Sequence, residues 1–191
     1  MKVVGINGSP RVGGNTEQLI KKVFNELEAE GIETELIQLG GKAVRGCLAC
    51  GKCGEMHNGT CIIKTDSVND IIQKMVEADG IILGSPTYFA DVTSEMKALI
   101  DRAGLVALRN GRVLSHKVGV SVVAVRRAGA IHVFDSMNHF FQINGMFMVG
   151  STYWNMVYGL QPGDVQGDEE GMANMADLGK SMAFLLKKLE K

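Results

Sequence analysis

All four cysteines of the chain lie close together, between residues 47 and 61. Cys47, Cys50 and Cys53 are each three positions apart, and Cys61 follows after seven intervening residues. Three thiolates at this spacing can converge on one centre, and the seven-residue loop can return the fourth. Four cysteines are the ligand set of a [4Fe–4S] cluster. The spacing therefore favours a [4Fe–4S] cluster.

Two other interpretations of the cysteines stay open. Structural zinc sites usually show two separated CxxC knuckles, whereas here Cys50 would have to serve both. Free thiols or a redox disulfide are the other alternative. The chain begins directly with a strand pattern and shows no signal-peptide layout, so we expect a cytoplasmic protein. In that compartment, clustered cysteines more often bind metal or perform redox chemistry than form structural disulfides.

A second stretch with chemical potential is GINGSPRVGGNT, at residues 5–16. Gly8 and Gly13 have the separation of a nucleotide-triphosphate loop, but Gly14 and Asn15 stand where its lysine and Mg²⁺-binding hydroxyl should be. The GxGxxG run of dinucleotide sites is also absent. The residues therefore favour a phosphate monoester over a triphosphate or a pyrophosphate.

The donors for such a phosphate are present in the same stretch. Ser9, Asn15 and Thr16 offer side-chain donors, and glycines such as Gly13 free backbone N–H groups. A helix predicted to start near Asn15 points its positive end into the loop. Arg11 adds a forked cation that suits phosphate.

Composition bounds the class of protein. The chain has 191 residues, of which 46% are hydrophobic and 21% charged, with a net charge of −1. This length and composition predict one domain over residues 1–191, with a cysteine-rich loop inserted at about 40–66. No basic stripe with interleaved aromatic residues indicates a nucleic-acid partner. No apolar run reaches the roughly 18 residues of a membrane span.

Apolar runs alternate with amphipathic segments along the chain. Strands are predicted at 2–7, 33–39, 80–85, 117–125 and 145–150, and helices at about 15–30, 67–78, 93–107, 131–143 and 170–189. Residues 151–168 are predicted to be an irregular loop. Near-continuous apolar strands between helices indicate a parallel sheet covered on both faces. The pattern predicts a three-layer α/β fold with a doubly wound, five-stranded parallel sheet, whose ligand lies beyond the carboxyl ends of the strands.

The sequence resembles a known family over nearly its whole length. GSPRVGGNT, followed by GSPTYFADVTSEMKALIDR at 84–102, is similar to the flavodoxin-like, NADPH-dependent FMN reductases. The resemblance implies that the first loop binds the FMN phosphate and that the segment after the third strand lies along the isoalloxazine ring. The implied phosphate residues are Ser9, Arg11, Gly13, Asn15 and Thr16, and the implied ring residues are Pro86, Thr87, Tyr88, Phe89 and Asp91.

The loop after the 117–125 strand reaches the same rim, and in the resembling family it also touches the flavin. It contributes Arg126, Arg127 and Gly129. The arginine pair can steady an anionic reduced flavin or a phosphate on an incoming nicotinamide cofactor, or it can form a solvated turn. Farther back in the chain, Asp101 and Arg102 end a helical turn and are expected to form surface ion pairs.

The cysteine spacing resembles the compact motif of the iron–sulfur flavoproteins, a branch of the same family. That resemblance implies a cluster that exchanges electrons with FMN, and a homodimer or homotetramer. We expect an FMN-dependent oxidoreductase that passes electrons between ferredoxin or NAD(P)H and a small acceptor. The alternatives are an NAD(P)H-dependent FMN or quinone reductase without a cluster, and a non-enzymatic redox-sensing flavin module. No catalytic side chain is predicted, because the flavin performs the chemistry.

Overall fold

The computed structural model describes residues 1–190, and Lys191, the last residue of the predicted domain, lies outside them. Its strands are β1 (Lys2–Asn7), β2 (Glu33–Gln38), β3 (Gly80–Pro86), β4 (Val118–Val125), β5 (Phe147–Met148) and β6 (Met156–Tyr158). Its α-helices are α1 (Asn15–Ala29), α2 (Lys52–Met56), α3 (Val68–Glu77), α4 (Ser94–Arg109), α5 (Ala130–Ile143) and α6 (Glu169–Leu189), with a 3₁₀ turn at Asp164–Gly167.

The strands form one parallel sheet in the order β2-β1-β3-β4-β5. This order reverses direction between β1 and β3, which is the switch point of flavodoxin-like folds. All eight residues of β4 are buried, as expected for a strand covered on both faces. The predicted doubly wound α/β fold is confirmed.

The position of the fifth strand differs from the predicted continuous run at 145–150. Phe147 and Met148 pair with the start of β4, whereas β6 pairs with its end. The intervening residues leave the sheet and expose Tyr153 and Trp154. Residues 151–168 are thus not wholly irregular, because they contain β6 and the 3₁₀ turn. Three residues are too few for β6 to show a periodic signal in the sequence.

The helices cover the two faces of the sheet. One apolar core joins α1 and α6 to the sheet through residues such as Leu19, Val23 and Met182. The other core joins α3, α4 and α5 to the opposite face. None of the helices within residues 1–190 combines the length and apolarity that a membrane span requires.

The loops at the carboxyl ends of β1 and β2 touch backbone to backbone. A Cβ atom on Gly40, just after β2, would lie 2.3 Å from the carbonyl oxygen of Gly8 and 2.4 Å from that of Ser9. The Gly40 N–H donates to the Asn7 carbonyl at 3.0 Å, so the chain cannot easily move away. The glycine therefore permits the close approach that shapes the turn after β1.

We predict that Gly40→Ala lowers the free energy of unfolding by about 2 kcal/mol or more, because the methyl group meets backbone that cannot rotate away. Urea unfolding followed by circular dichroism measures the change. Gly150→Ala is the matched control, since a Cβ atom there meets nothing within 4 Å. Equal stability of the two variants would contradict this description of the turn.

Candidate functional site

A pocket lies beyond the carboxyl ends of the central strands, where the fold predicts the ligand. Its lining comes from the loop after β1, the end of β3, the end of β4 and the loop after β6. The lining residues are Ser9, Arg11, Asn15, Thr16, Pro86, Thr87, Tyr88, Ala124, Arg126, Gly159 and Leu160. Eight of the thirteen flavin-site residues expected from the sequence are therefore brought together in one cavity.

The five other expected residues do not line this cavity: Gly13, Phe89, Asp91, Arg127 and Gly129. The N–H of Gly13 donates to the Glu17 carboxylate at 2.6 Å. Gly129 takes a φ of 86° at the start of α5, and Arg127 is exposed.

The turn after β1 is fixed by its neighbours in the sheet. The Gly8 N–H donates to the Gly84 carbonyl on β3 at 2.8 Å, and the Thr93 hydroxyl donates to the Gly8 carbonyl at 2.8 Å. Thr93 is also the N-cap of α4, where its oxygen accepts the Met96 N–H. The side chain of Gln38 on β2 donates to the Ser9 carbonyl at 2.7 Å. The turn therefore has its shape before any ligand arrives.

The first turn of α1 opens into this pocket. Gly14 caps the helix, and within the described chain no side chain accepts a cap hydrogen bond there. The uncapped N–H groups and the helix dipole favour an anion. Glu17 is also in this first turn, where its carboxylate accepts from Gly13 and pairs with Lys21 at 2.7 Å. Burial by itself would raise the pKa of Glu17, but these contacts lower it below its ordinary value.

Two of the expected phosphate ligands also hold the loop that follows β6. Arg11 Nη1 donates to the Leu160 carbonyl at 3.0 Å, and Asn15 Oδ1 accepts the Gly163 N–H at 2.8 Å. The loop of residues 159–163 is therefore fastened against the phosphate loop. The sequence gives no periodic signal for this contact, because the partners are 148 and 149 positions apart.

The segment after β3 makes a tight turn at the mouth of the pocket. Tyr88 and Asp91 exchange backbone hydrogen bonds of 3.0 Å in both directions. Between them, Phe89 and Ala90 have φ angles of 49° and 61°, which is unusual for residues other than glycine. The Phe89 side chain is fully exposed. Backbone strain of this kind is often found at ligand sites.

Two buried hydroxyl groups test whether FMN fits this pocket. Thr16 Oγ1 and Thr87 Oγ1 are buried, and neither has a hydrogen-bond partner among residues 1–190. Both residues line the pocket, one beside the helix N-terminus and the other at the end of β3. Buried hydroxyl groups normally have partners. A phosphate oxygen at the first and a polar flavin atom at the second would satisfy them, so the residues fit the cofactor.

The four cysteines line a second, smaller cavity beside α4. Cys47 and Cys50 are exposed, Cys61 is half-buried and Cys53 is buried, and all four are free thiols. Burial raises the pKa of the Cys53 thiol. Within residues 1–190, no three His, Cys, Asp or Glu side chains converge closely enough to hold a metal ion. Four thiols facing one cavity are nevertheless the donor set that suits an iron–sulfur cluster. His57 is exposed.

Two asparagines fix the backbone beside the cysteines. Asn69 on α3 accepts the Cys61 N–H at 2.8 Å and donates to the Cys61 carbonyl at 3.0 Å. Asn110, at the end of α4, donates to the Cys53 carbonyl at 3.1 Å and accepts the Gly59 N–H at 2.9 Å. The cysteine segment is thus bound to two helices, although only α2 interrupts its irregular path.

The expected surface position of Arg102 is wrong. Asp101 does pair with Lys97 on the surface, but Arg102 is not a surface residue: its side chain is fully buried. It pairs with Asp66 at 2.6 Å and lines the cysteine cavity. The sequence pattern failed here because helical periodicity identifies apolar residues as buried and assigns charged residues to solvent.

The buried ion pair alters the acidity of both partners. Burial alone would raise the pKa of Asp66, but hydrogen bonds from Arg102 and from the N–H groups of Arg45 and Val68 lower it below its ordinary value. Burial would lower the pKa of Arg102, and its contacts with Asp66 and the Cys61 thiol raise it. The pair is therefore ionised in the folded chain at neutral pH.

Comparison with known proteins identifies the family. The family model described as NADPH-dependent FMN reductase matches residues 1–161. The chain belongs to this family. An iron–sulfur flavoprotein of Methanocaldococcus jannaschii is 42% identical over 100% of both chains. An iron–sulfur flavoprotein of Methanosarcina thermophila is 32% identical, covering 100% of this chain and 98% of its own. The chain is thus an FMN-dependent oxidoreductase of the iron–sulfur flavoprotein branch.

Solved structures agree on the fold. A WrbA-like flavodoxin of Agrobacterium tumefaciens superposes with a TM-score of 0.66 over 99% of this chain and 98% of its own, at 14% identity. At that identity the similarity concerns the fold alone, and it confirms the flavodoxin-like architecture.

We predict that Asp66→Asn lowers the free energy of unfolding of the metal-free protein by about 3 kcal/mol at pH 7, because it leaves Arg102 buried without its counter-ion. The pKa of Asp66 is lower in the folded chain than its unfolded value of about 3.9. Its stabilisation is therefore complete above that pH and is lost as the pH falls through the folded pKa. The difference between wild type and variant should shrink below about pH 4.

Urea unfolding at a series of pH values measures this difference. Asp101→Asn, which removes the exposed ion pair with Lys97, is the control and should cost less than about 1 kcal/mol. A penalty for Asp66→Asn that does not change between pH 7 and pH 3 would contradict the prediction.

Proposed function

We propose that this protein passes electrons between a donor, ferredoxin or NAD(P)H, and a small acceptor, using FMN and a [4Fe–4S] cluster held by Cys47, Cys50, Cys53 and Cys61. The observation that carries the FMN site is the pair of buried, unpartnered hydroxyl groups in a pocket at the N-terminus of α1. FMN supplies hydride and single-electron transfer when it is bound.

Each element of the pocket has a proposed task toward FMN. The first turn of α1 and the Thr16 hydroxyl hold the phosphate, and Ser9, Arg11, Gly13 and Asn15 shape the loop around it. Pro86, Thr87, Tyr88, Phe89 and Asp91 border the ring, and the loop of Arg126, Arg127 and Gly129 borders its other side. Tyr88 is about half exposed and Phe89 fully so, which leaves apolar surface beside the ring for an electron donor or acceptor.

The proposed cluster site rests on four thiols around one cavity and on relatives named iron–sulfur flavoproteins. A cluster there supplies one-electron transfer. Helix α4 connects the two sites, since its N-cap Thr93 bonds the phosphate loop and Arg102 lines the cysteine cavity. Thr93 and Arg102 are nine residues apart in the sequence, which corresponds to about 13 Å along the helix axis.

We also propose that residues 1–191 form a single domain that assembles into a homodimer or homotetramer. The supporting feature is the group of exposed aromatic residues before and at the end of β6: Tyr153, Trp154 and Tyr158. Exposed aromatic clusters are typical of protein interfaces. Sedimentation equilibrium of the purified protein measures the assembly directly.

A second candidate is an NAD(P)H-dependent FMN or quinone reductase without a cluster. It is favoured by the finding that, in the part of the chain described, no three metal-ligating side chains converge. Iron and acid-labile sulfide, counted after anaerobic reconstitution, distinguish the two. A redox-sensing module would bind FMN yet show negligible steady-state reduction of a quinone by NAD(P)H or by reduced ferredoxin.

We predict that Thr16→Val weakens FMN binding about tenfold or more, because a hydrogen bond to a charged group contributes about 1.5–3 kcal/mol. The stability of the FMN-free protein should not fall, since the lost hydroxyl has no partner among residues 1–190. Quenching of FMN fluorescence measures affinity. Thr65→Val, at an exposed position, should bind FMN as the wild type does. Unchanged affinity of Thr16→Val would contradict this placement of the phosphate.

We predict that Cys50→Ala abolishes the brown absorbance of the anaerobically reconstituted protein and leaves its yellow flavin absorbance intact. Loss of one thiolate removes a cluster ligand but leaves the FMN pocket, which contains no cysteine, undisturbed. Leu48→Ala, an exposed neighbour in the same loop, is the control and should keep its iron. Full iron and sulfide content in Cys50→Ala would exclude Cys50 as a ligand.

A further inference from the structure

The guanidinium of Arg102 forms hydrogen bonds with the backbone on both sides of the cysteine segment, residues 47–61. Its Nη1 donates to the Arg45 carbonyl at 3.0 Å, and its Nη2 donates to the Ile63 carbonyl at 3.2 Å. Arg45 lies two residues before Cys47, and Ile63 lies two residues after Cys61. One side chain of α4 therefore holds both ends of the segment that carries all four thiols.

The third nitrogen of this guanidinium, Nε, is buried and has no hydrogen-bond partner among residues 1–190. The same side chain lines the cavity shared by the four cysteines. Buried donors normally have acceptors, and sulfur can accept an N–H hydrogen bond. An unpartnered donor at a cavity with four sulfur atoms indicates that its acceptor is a sulfur.

We propose that Arg102 is a positioning residue that also sets the reduction potential of the group bound by the cysteines, by donating its Nε–H to a sulfur at the cavity. This inference rests on the proposed function, because it requires the cysteines to hold a [4Fe–4S] cluster. The two Nη groups fix the ends of the loop, and Nε interacts with the redox centre itself.

The direction of the effect follows from electrostatics. Hydrogen bonds to sulfur and net charge are among the factors that set cluster potentials. Reduction adds negative charge, so a donor and a cation beside the sulfur atoms favour the reduced form. Asp66, which pairs with the same guanidinium, acts in the opposite direction because its negative charge offsets the cation. The two residues should therefore shift the potential with opposite signs.

The experiment compares the wild type with three variants, all reconstituted anaerobically with iron and sulfide. Arg102→Lys keeps the positive charge but loses the fork and Nε. Asp66→Asn keeps the shape of the side chain and removes its charge. Arg109→Lys is the matched control, since Arg109 is exposed on the same helix and does not line the cavity. A redox titration followed by electron paramagnetic resonance gives the potential of each sample.

We expect the equilibrium constant for one-electron reduction to fall about tenfold in Arg102→Lys, which corresponds to about 59 mV. It should rise in Asp66→Asn and stay unchanged in Arg109→Lys. Amide hydrogen exchange in the metal-free protein gives an independent measure of positioning. Exchange at residues 47–61 should be faster in Arg102→Lys than in the wild type or in the control.

Each outcome decides between the proposals. A wild-type chain that takes up no iron overturns the proposed function and this inference with it. A loaded wild type whose potential is matched by Arg102→Lys overturns the inference about Arg102 alone. If Arg102→Lys fails to fold or to retain its cluster, Asp66→Asn decides: a raised potential supports the inference, and an unchanged or lowered potential contradicts it.

Discussion

The arrangement of this molecule depends on one electrostatic constraint, the uncapped N-terminus of α1 at the end of β1. No side chain in the described chain caps this helix, so its first N–H groups and its dipole face the pocket and favour an anion. The turn that presents these N–H groups is held in place, because Gly8 forms hydrogen bonds with Gly84 on β3 and with Thr93, the N-cap of α4. We therefore propose that the phosphate of FMN binds at this turn and that the rest of the flavin site is arranged around it.

Helix α4 connects the phosphate loop to the cysteine segment. At its start, Thr93 supports the phosphate loop, and farther along Arg102 closes the cysteine segment. Asn110 at its end holds the backbone of Cys53. One helix thus fixes both regions in the same frame, so the proposed cluster and the flavin would keep a constant separation. A segment with little regular structure can hold thiols in place only if such buried polar side chains define its backbone.

The sequence was sufficient for the sheet and the main helices, because strand alternation and helical periodicity are local signals. Eight of the residues expected to bind the flavin line one cavity, and their role there stays a prediction. It was not sufficient for contacts between distant segments. Arg102 was expected at the surface, since a charged side chain on a helix is usually solvated, but its partner Asp66 is 36 positions away. The split fifth strand was missed for a related reason: β5 and β6 are too short to have a pattern, and only pairing with β4 defines them.

A crystal structure of the protein with FMN bound is the most direct test. We expect the phosphate at the first turn of α1, with an oxygen at about 2.5–3.0 Å from Thr16 Oγ1, the range of an O–H hydrogen bond. FMN bound with its phosphate elsewhere and Thr16 Oγ1 still unpartnered would contradict the central claim that the helix N-terminus is the anion site.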